Sequence, residues 1–374
     1  MIESVFWVSV AFIAYVYIGY PLLVAAYARL VKGERQSPQL PPLQRRDDLP
    51  GVSIIIAARN EAHRLPARIA NLVASEYPAD RLQIIVASDG STDDTVEALA
   101  PYRGRIEVVL LPPLGKANAL NAAVLRAVHP ILVFADARQR FAPDAIRRLV
   151  AHFRDPRVGA VSGELILDCE EAAPDAAAPG STSSTIAEGV GAYWKYEKWL
   201  RRHEAVAGSM VGVTGAIYAM RRYLWQCLPT DTLLDDVLGP LRLVMRGYRV
   251  TFESGARAFD ETAPDASHEL RRKMRTLSGN FQLLAQEPRV LIPGTNPVWL
   301  QFMSHKVGRL LAPYALIAIF VANAVLVLTS PSVFYVTAFM AQLAFYGLAM
   351  YGAALDRRAR TNGVPTCEVN REAA

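Results

Sequence analysis

Gly51-Val52-Ser53-Ile54-Ile55-Ile56-Ala57, running on into Ala58-Arg59-Asn60-Glu61, is a short β-branched run that opens onto polar side chains. An unbroken apolar run of this length, with no alternation, fits a strand buried on both faces, as in a parallel sheet. Ligands gather at the carboxyl ends of such strands, so function is expected in the Arg59-Asn60-Glu61 loop. A helical pattern over about Leu65 to Ser75 leads to a second strand at Leu82 to Ala87. Strand, helix and strand in one sheet imply a right-handed crossover. Further strands are expected at Ile106 to Leu110 and Ile131 to Phe134, with a helix over Lys116 to Val128 between them. The middle of the chain reads as α/β.

Aspartates stand where these strands end. Ser88-Asp89-Gly90-Ser91-Thr92-Asp93 follows the second strand and reads as a turn with a helix N-cap. Phe134-Ala135-Asp136-Ala137-Arg138 follows a later strand, and Leu234-Asp235-Asp236 comes further on. Carboxylates at the ends of buried strands are costly unless they hold a metal, a sugar or a proton in transit. Asp93 also reads as a first-turn acid, and Asp235-Asp236 as a pair capping a helix from about Val237 to Met245. Capping by Asp235 is compatible with catalysis by Asp236. Between Glu170 and Thr185 the composition turns to Ala, Pro, Gly and Ser, a mobile loop within the domain that is placed to gate a site.

Hydrophobic residues make up 52% of the 374, more than one such domain needs, and the surplus sits at the two ends. Val5 to Tyr27, Leu310 to Thr329 and Val333 to Leu355 are each apolar enough to cross a bilayer as a helix. Met-Ile-Glu-Ser at the start lacks the basic region of a signal peptide, so the first segment reads as an uncleaved anchor. Arg29, Lys32, Arg35, Arg45 and Arg46 follow the first span, His305, Lys306 and Arg309 precede the second, and Arg357, Arg358 and Arg360 follow the third. Positive flanks stay inside, which puts the middle of the chain in the cytoplasm of an inner-membrane protein. The expected division is an anchor over 1–28, a catalytic domain over 50–290, two further spans over 305–356 and a tail over 357–374. Those flanks explain the net charge of +5, and no basic and aromatic stripe points to nucleic acid. Cys169, Cys227 and Cys367 are too scattered for a zinc site and suit a reducing compartment.

Six motifs then stand in a telling order: Ala58-Arg59-Asn60-Glu61, Asp89 to Asp93, Gly115-Lys116-Ala117-Asn118-Ala119-Leu120-Asn121, the Asp136 loop, Thr214-Gly215-Ala216 and Leu234-Asp235-Asp236. In this order they resemble the family 2 inverting glycosyltransferases, in the membrane-embedded branch of cellulose, hyaluronan and poly-N-acetylglucosamine synthases. The resemblance runs from about Val52 to Asn280. It implies a GT-A fold, a Rossmann-like nucleotide-sugar-binding domain, joined here to the three transmembrane helices read from the apolar segments, fewer than the related synthases have. It also implies a nucleotide-diphosphate sugar as donor, a UDP-sugar first, and a polysaccharide or polyprenyl-linked glycan as acceptor. Asp89 would contact the base or ribose, Lys116 would support the nucleotide, and Asp136 would approach the diphosphate through Mg2+ or Mn2+. Ala58, Asn60, Glu61, Asp93, Arg138 and Arg275 fall on the donor side of the resemblance, and Thr214, Gly215, Asp235 and Arg272 on the acceptor side. Asp236 aligns with the last acid of the Thr-Glu-Asp motif and would be the general base, since inversion needs a base opposite the leaving group.

Two departures bear on what is carried over. The usual Asp-Ala-Asp is Asp136-Ala137-Arg138 here. Either Asp136 holds the ion together with the diphosphate and a later residue such as His268, or Arg138 neutralises the diphosphate directly. Arg272-Lys273-Met274-Arg275-Thr276 occupies the place of Gln-x-x-Arg-Trp, with Thr276 for the indole that stacks on sugar. That opposes processive synthesis and suits single-sugar transfer; export of a long chain would need a partner. Arg271, Arg272, Lys273 and Arg275 also suit anionic headgroups. Tyr193, Trp194, Tyr196 and Trp199 among Lys195, Glu197, Lys198, Arg201 and Arg202 suggest either an amphipathic helix near the bilayer or the acceptor entrance, or core packing. A different class is a non-catalytic scaffold that binds nucleotide or glycan; Arg138 favours it and Asp236 opposes it. No Gly-x-Gly-x-x-Gly follows the first strand, which excludes the dinucleotide fingerprint.

Overall fold

The computed structural model describes residues 1–35, 49–167, 182–260 and 266–361. Eight strands form one sheet: β1 (Val52–Ala58), β2 (Leu82–Asp89), β3 (Glu107–Leu111), β4 (Ile131–Ala135), β5 (Arg140–Phe141), β6 (Val158–Leu167), β7 (Ile217–Arg221) and β8 (Arg249–Asp260). Their order is β3-β2-β1-β4-β7-β6-β8-β5. The helices are α1 (Ile2–Ala14), α2 (Tyr20–Arg35), α3 (Leu65–Val73), α4 (Lys116–Arg126), α5 (Ala145–Ala151), α6 (Thr182–Ala207), α7 (Asp235–Met245), α8 (Ala266–Gln286), α9 (Gly308–Thr329) and α10 (Val333–Thr361).

β1 is buried on both faces, as its unbroken apolar run requires. Ile54 and Ile56 pack with Leu65, Ile69 and Leu72 of α3, while Ile55 faces Ala119, Leu120 and Ala123 of α4. Each fully buried aliphatic side chain contributes about 1.5–3 kcal/mol. β1 runs parallel to β2 and β4, so Asn60, Asp89 and Asp136 arrive at one edge of the sheet. β7 is antiparallel to β4, with Ile217 opposite Ala135, so Thr214 and Gly215 come to that same edge from the amino end of β7.

Three local expectations are corrected. The turn after β2 does not cap an α-helix: Asp93 accepts the Thr95 amide and hydroxyl, and the chain then makes only a 3₁₀ turn over Glu97–Tyr102, with Pro101 inside it. Asp235 and Asp236 do not cap either. α7 already begins at Asp235, Leu234 takes the cap position without a side-chain bond, and Asp235 instead lies 3.5 Å from Lys116. Most of the gate-like loop read over Glu170 to Thr185 lies outside the described residues, and its end, from Thr182, is already helical.

Three helical segments are long and apolar enough to cross a membrane: Ile2–Val31, Trp299–Thr329 and Val333–Gly352. The first two each contain a π-helical turn, at Tyr15–Gly19 and Phe302–Val307. The turns meet, for the Tyr15 hydroxyl lies 2.8 Å from Ser304 Oγ, and a Cβ on Gly308 would fall 2.9 Å from Val16. α6 lies on this junction. Its Glu204 accepts the Tyr20 hydroxyl and lies 2.8 Å from His305 Nδ1, its Glu197 pairs with Arg309, and its Tyr196 hydroxyl donates to the Tyr17 carbonyl. The sequence places His305, Lys306 and Arg309 on a flank before the second span; the structure places them within the helix that continues into it. Glu197 compensates the charge of Arg309 there, and Glu204 and Glu197 lie 2.8 and 3.4 Å from the two ring nitrogens of His305. On α8, Leu270, Met274, Leu277 and Phe281 recur at helical spacing and are all exposed, an uncovered apolar face.

Glu204→Ala would strip the Tyr20 hydroxyl and His305 of their shared acceptor, at a cost of about 3–5 kcal/mol for a broken buried ion pair. The thermal midpoint in detergent is expected to fall, and to fall less for Glu204→Gln, which keeps an acceptor.

Candidate active site

The loop after β1 is braced to the loop after β2. Asn60 takes a positive φ of 56°, accepts the Thr92 amide at 2.8 Å and donates its own amide to Ser91 Oγ at 3.1 Å. Asp93 accepts the Ala62 amide at 3.2 Å. The Thr95 hydroxyl first, then the Ala62 and Thr95 amides, hold the Asp93 carboxyl below its ordinary value. Glu61 pairs with Arg64, and Ala58 is buried as the last residue of β1. Asp89 is buried and accepts the amides of Leu114 and Gly115, both at 2.9 Å, so it fixes the turn that starts α4. Gly90 permits that turn: its φ is 62°, and a Cβ would lie 2.7 Å from Pro113 N.

Lys116, at the start of α4, is the centre of the site. Its Nζ lies 3.1 Å from Asp136 Oδ1 and 3.5 Å from Asp235 Oδ2. Burial works against its charge, but Asp136, Asp235 and Asp236 outweigh burial and keep the ammonium protonated far above the usual lysine range. Asp236 differs from its neighbours in this respect. Burial first, then the Asp235 carboxylate, push the Asp236 carboxyl up, and Lys116, Lys306 and Arg201 offset only part of that. Its Oδ2 would stand 3.1 Å from a Cβ on Gly215, so any side chain there would press on the acid. The Asp236 carbonyl accepts the Val213 amide at 2.9 Å, which ties α7 to the Thr214-Gly215 segment. Below the acids, the buried Tyr218 ring stacks on Phe134 with centroids 4.5 Å apart, and its hydroxyl has no hydrogen-bond partner among the described residues.

Other expected residues are placed around this centre. Arg138 is half-exposed and turned toward Asp260, with Nη2 2.6 Å from Asp260 Oδ2, an oxygen that Gln139 also reaches. Arg275 donates to the Leu233 carbonyl at 3.3 Å, immediately before the acid pair. Arg272 lies one turn earlier on α8, where its carbonyl accepts the Thr276 hydroxyl. Thr214 is buried and accepts from Arg201 at 3.1 Å. The His268 side chain lies outside the described residues. The structure therefore gathers Lys116, Asp136, Asp235 and Asp236, sets Gly215 against Asp236, and leaves Asn60, Glu61 and Asp93 to shape the neighbouring loops. Asp260 and Tyr218 are additions that sequence reading misses, while Arg201 and Lys306, read there only as helix and flank cations, act by charge on Asp236. Each faces the site only through tertiary packing, and none stands in a motif.

Among the described residues, no three His, Cys, Asp or Glu side chains are grouped to cage a metal. A magnesium-like ion needs only one or two carboxylates when substrate phosphates supply the rest. Asp136, with 37% of its side chain exposed at the sheet edge, fits that role; Arg138, where a second acid would stand, does not. The residues present fit an ion bridged by substrate.

Residues 53–226 match the model of glycosyl transferase family 2. An N-acetylglucosaminyltransferase of Rhizobium leguminosarum bv. trifolii is 35% identical over 125 residues, which cover 68% of that protein and 32% of this chain. The chain belongs to glycosyl transferase family 2. It is also 24% identical over 251 residues to the poly-beta-1,6-N-acetyl-D-glucosamine synthase of Staphylococcus aureus, over 64% of this chain. The chain spans 57% of the length of that synthase. The GT-A fold is borne out by the mannosyltransferase PcManGT of Pyrobaculum calidifontis, solved with GDP-Man and Mn2+. It superposes with a TM-score of 0.68 at 24% identity, over 96% of this chain and 94% of that one.

Because Asp236 has a raised pKa in the folded state, its ionisation opposes folding above that pKa, and the penalty fades as pH falls to the unfolded value. Asp236→Asn is therefore expected to melt above the wild type at about pH 8, with the gap closing toward about pH 4. Thermal melts across that range check it, and a lower midpoint at the alkaline end would contradict it.

Proposed function

We propose that this chain is a membrane-bound inverting glycosyltransferase. It moves a sugar from a nucleotide-diphosphate sugar, a UDP-sugar first, to a polysaccharide or polyprenyl-linked glycan at the cytoplasmic face of the inner membrane. The observation that carries this reading is Asp236: in a family 2 chain it is an acid with a raised pKa, beside a lysine-centred cluster at the carboxyl edge of the sheet. A base serves best when its pKa is moved toward the working pH, and burial beside Asp235 moves it that way.

The division of labour follows from charge. Asp89, Asn60, Asp93, Glu61 and Ala58 form the nucleotide end, where rigid loops present backbone and carboxylates to base and ribose. Lys116, Arg138 and Arg275 supply countercharge for the diphosphate. Asp136 would hold Mg2+ or Mn2+, which neutralises the departing nucleoside diphosphate. Asp236 takes the proton of the acceptor hydroxyl as its oxygen attacks the anomeric carbon from the face opposite the nucleotide. Thr214, Gly215, Asp235 and Arg272 line the acceptor side. Residues 50–290 would form the catalytic domain, with 1–28 and 305–356 as its membrane anchors and 357–374 as a tail. The exposed apolar face of α8, with Arg271 and Arg275 beside it, supports contact with membrane lipid. Thr276, where a stacking indole would stand, favours transfer of single sugars.

The test is nucleotide release by the purified full chain, supplied with UDP-, GDP- or dTDP-sugars and a membrane lipid extract, with Mg2+, Mn2+ or chelator. One donor is expected to support release, and Asp236→Asn is expected to lower it by about 10²–10⁴-fold while donor binding persists. Donor binding without release by the wild type under every condition would instead favour a scaffold.

A further inference from the structure

The catalytic acid is linked by charge to the membrane helices, and the cations on that side outnumber the acids. α6 contributes Glu197, Glu204 and Arg201; the π-helical turn and the residues after it contribute His305, Lys306 and Arg309. Glu204 is taken up by Tyr20 and His305. Glu197 meets Arg309 and His305, with Arg201 Nε at 4.0 Å. Lys306 is left over: among the described residues it makes no hydrogen bond or close ion pair, although the charges of Asp236, Glu197, Arg201 and Arg309 all act on it. Arg309 Nε and Nη2 are likewise buried without an acceptor. Arg201 is steadied by Thr214, and its charge, like that of Lys306, acts on Asp236.

A partly buried ammonium and two unspent guanidinium donors are costly unless an anion joins them. A phosphate accepts several such bonds at once. The donor diphosphate has its own cations, Lys116, Arg138 and Arg275, at the sheet edge. The Lys306 site instead lies near the amino end of the apolar helical segment Trp299–Thr329, the second candidate span.

We propose that Lys306 and Arg201, with the unpartnered edge of Arg309, bind the phosphate of a lipid-linked acceptor and so hold the acceptor's hydroxyl-bearing end toward Asp236. This inference rests on the glycosyltransferase reading and narrows its acceptor to a phosphate-bearing lipid. A neutral glycan would leave the cation surplus unanswered.

The experiment uses the full chain in detergent, with farnesyl phosphate as probe against farnesol and inorganic phosphate, and with donor binding measured in the same preparations. Farnesyl phosphate is expected to bind; Lys306→Met should weaken it about tenfold or more and Lys306→Arg should largely restore it, with donor affinity unchanged in both. Equal binding by wild type and Lys306→Met, or farnesol binding as well as its phosphate, would overturn the site. Inorganic phosphate binding as tightly as the prenyl phosphate would overturn the lipid source. If donor binding is intact in these cases, only this inference falls; wild type that binds no donor at all removes the parent reading as well.

Discussion

Lys116 lies between carboxylates that come from distant parts of the chain, and the geometry of the site depends on that arrangement. Asp136 ends a parallel strand, while Asp235 and Asp236 open a helix about a hundred residues later. Gathered without a cation, three acids at one edge would repel one another and protonate. Lys116 lies against both Asp136 and Asp235, and Asp236 is the acid whose proton affinity is raised. The lysine is in turn aimed by the turn that Asp89 builds through the Leu114 and Gly115 amides. A carboxylate that shapes a loop thus sets the position of the charge that sorts three others.

A second constraint joins this centre to the membrane. α6 packs along α2, its glutamates meet His305 and Arg309 of the second span, and its Arg201 reaches back to Thr214, next to the Gly215 that faces Asp236. Paired π-helical turns, in the first and second spans, allow Ser304 and His305 to turn inward at that height. Local departures from α-helical winding are often found at functional sites, and here the two of them meet beside the α6 junction. The sheet domain and the apolar helices therefore share one polar network at their junction.

What could be read in the sequence was whatever depends on local pattern. The Ile54-Ile55-Ile56 run gave a strand buried on both faces, the four parallel strands lie within a residue or two of their expected ends, and the apolar segments correspond to the candidate spans. Asp136, Asp235 and Asp236 were identifiable because short motifs carry them. Harder to read were features decided by partners remote in sequence. Arg138 looked like a bare cation until Asp260, at the end of β8, was seen to hold it. His305, Lys306 and Arg309 resemble an ordinary basic flank, since nothing near them in sequence announces Glu197 and Glu204. The acid pair looked like a helix cap, because Asp at a helix start usually is one; here Lys116 competes for Asp235 and wins.

The most direct test of Asp236 as the base is a structure of the full chain with UDP-GlcNAc or GDP-mannose and Mn2+, with Asp236→Asn used to prevent turnover. The account predicts the diphosphate beside Asp136 and Lys116, and the side chain at position 236 facing the anomeric carbon from the side opposite the nucleotide, with room for one hydroxyl between. A donor seated with its anomeric carbon turned away from position 236, or with another side chain in that place, would contradict it.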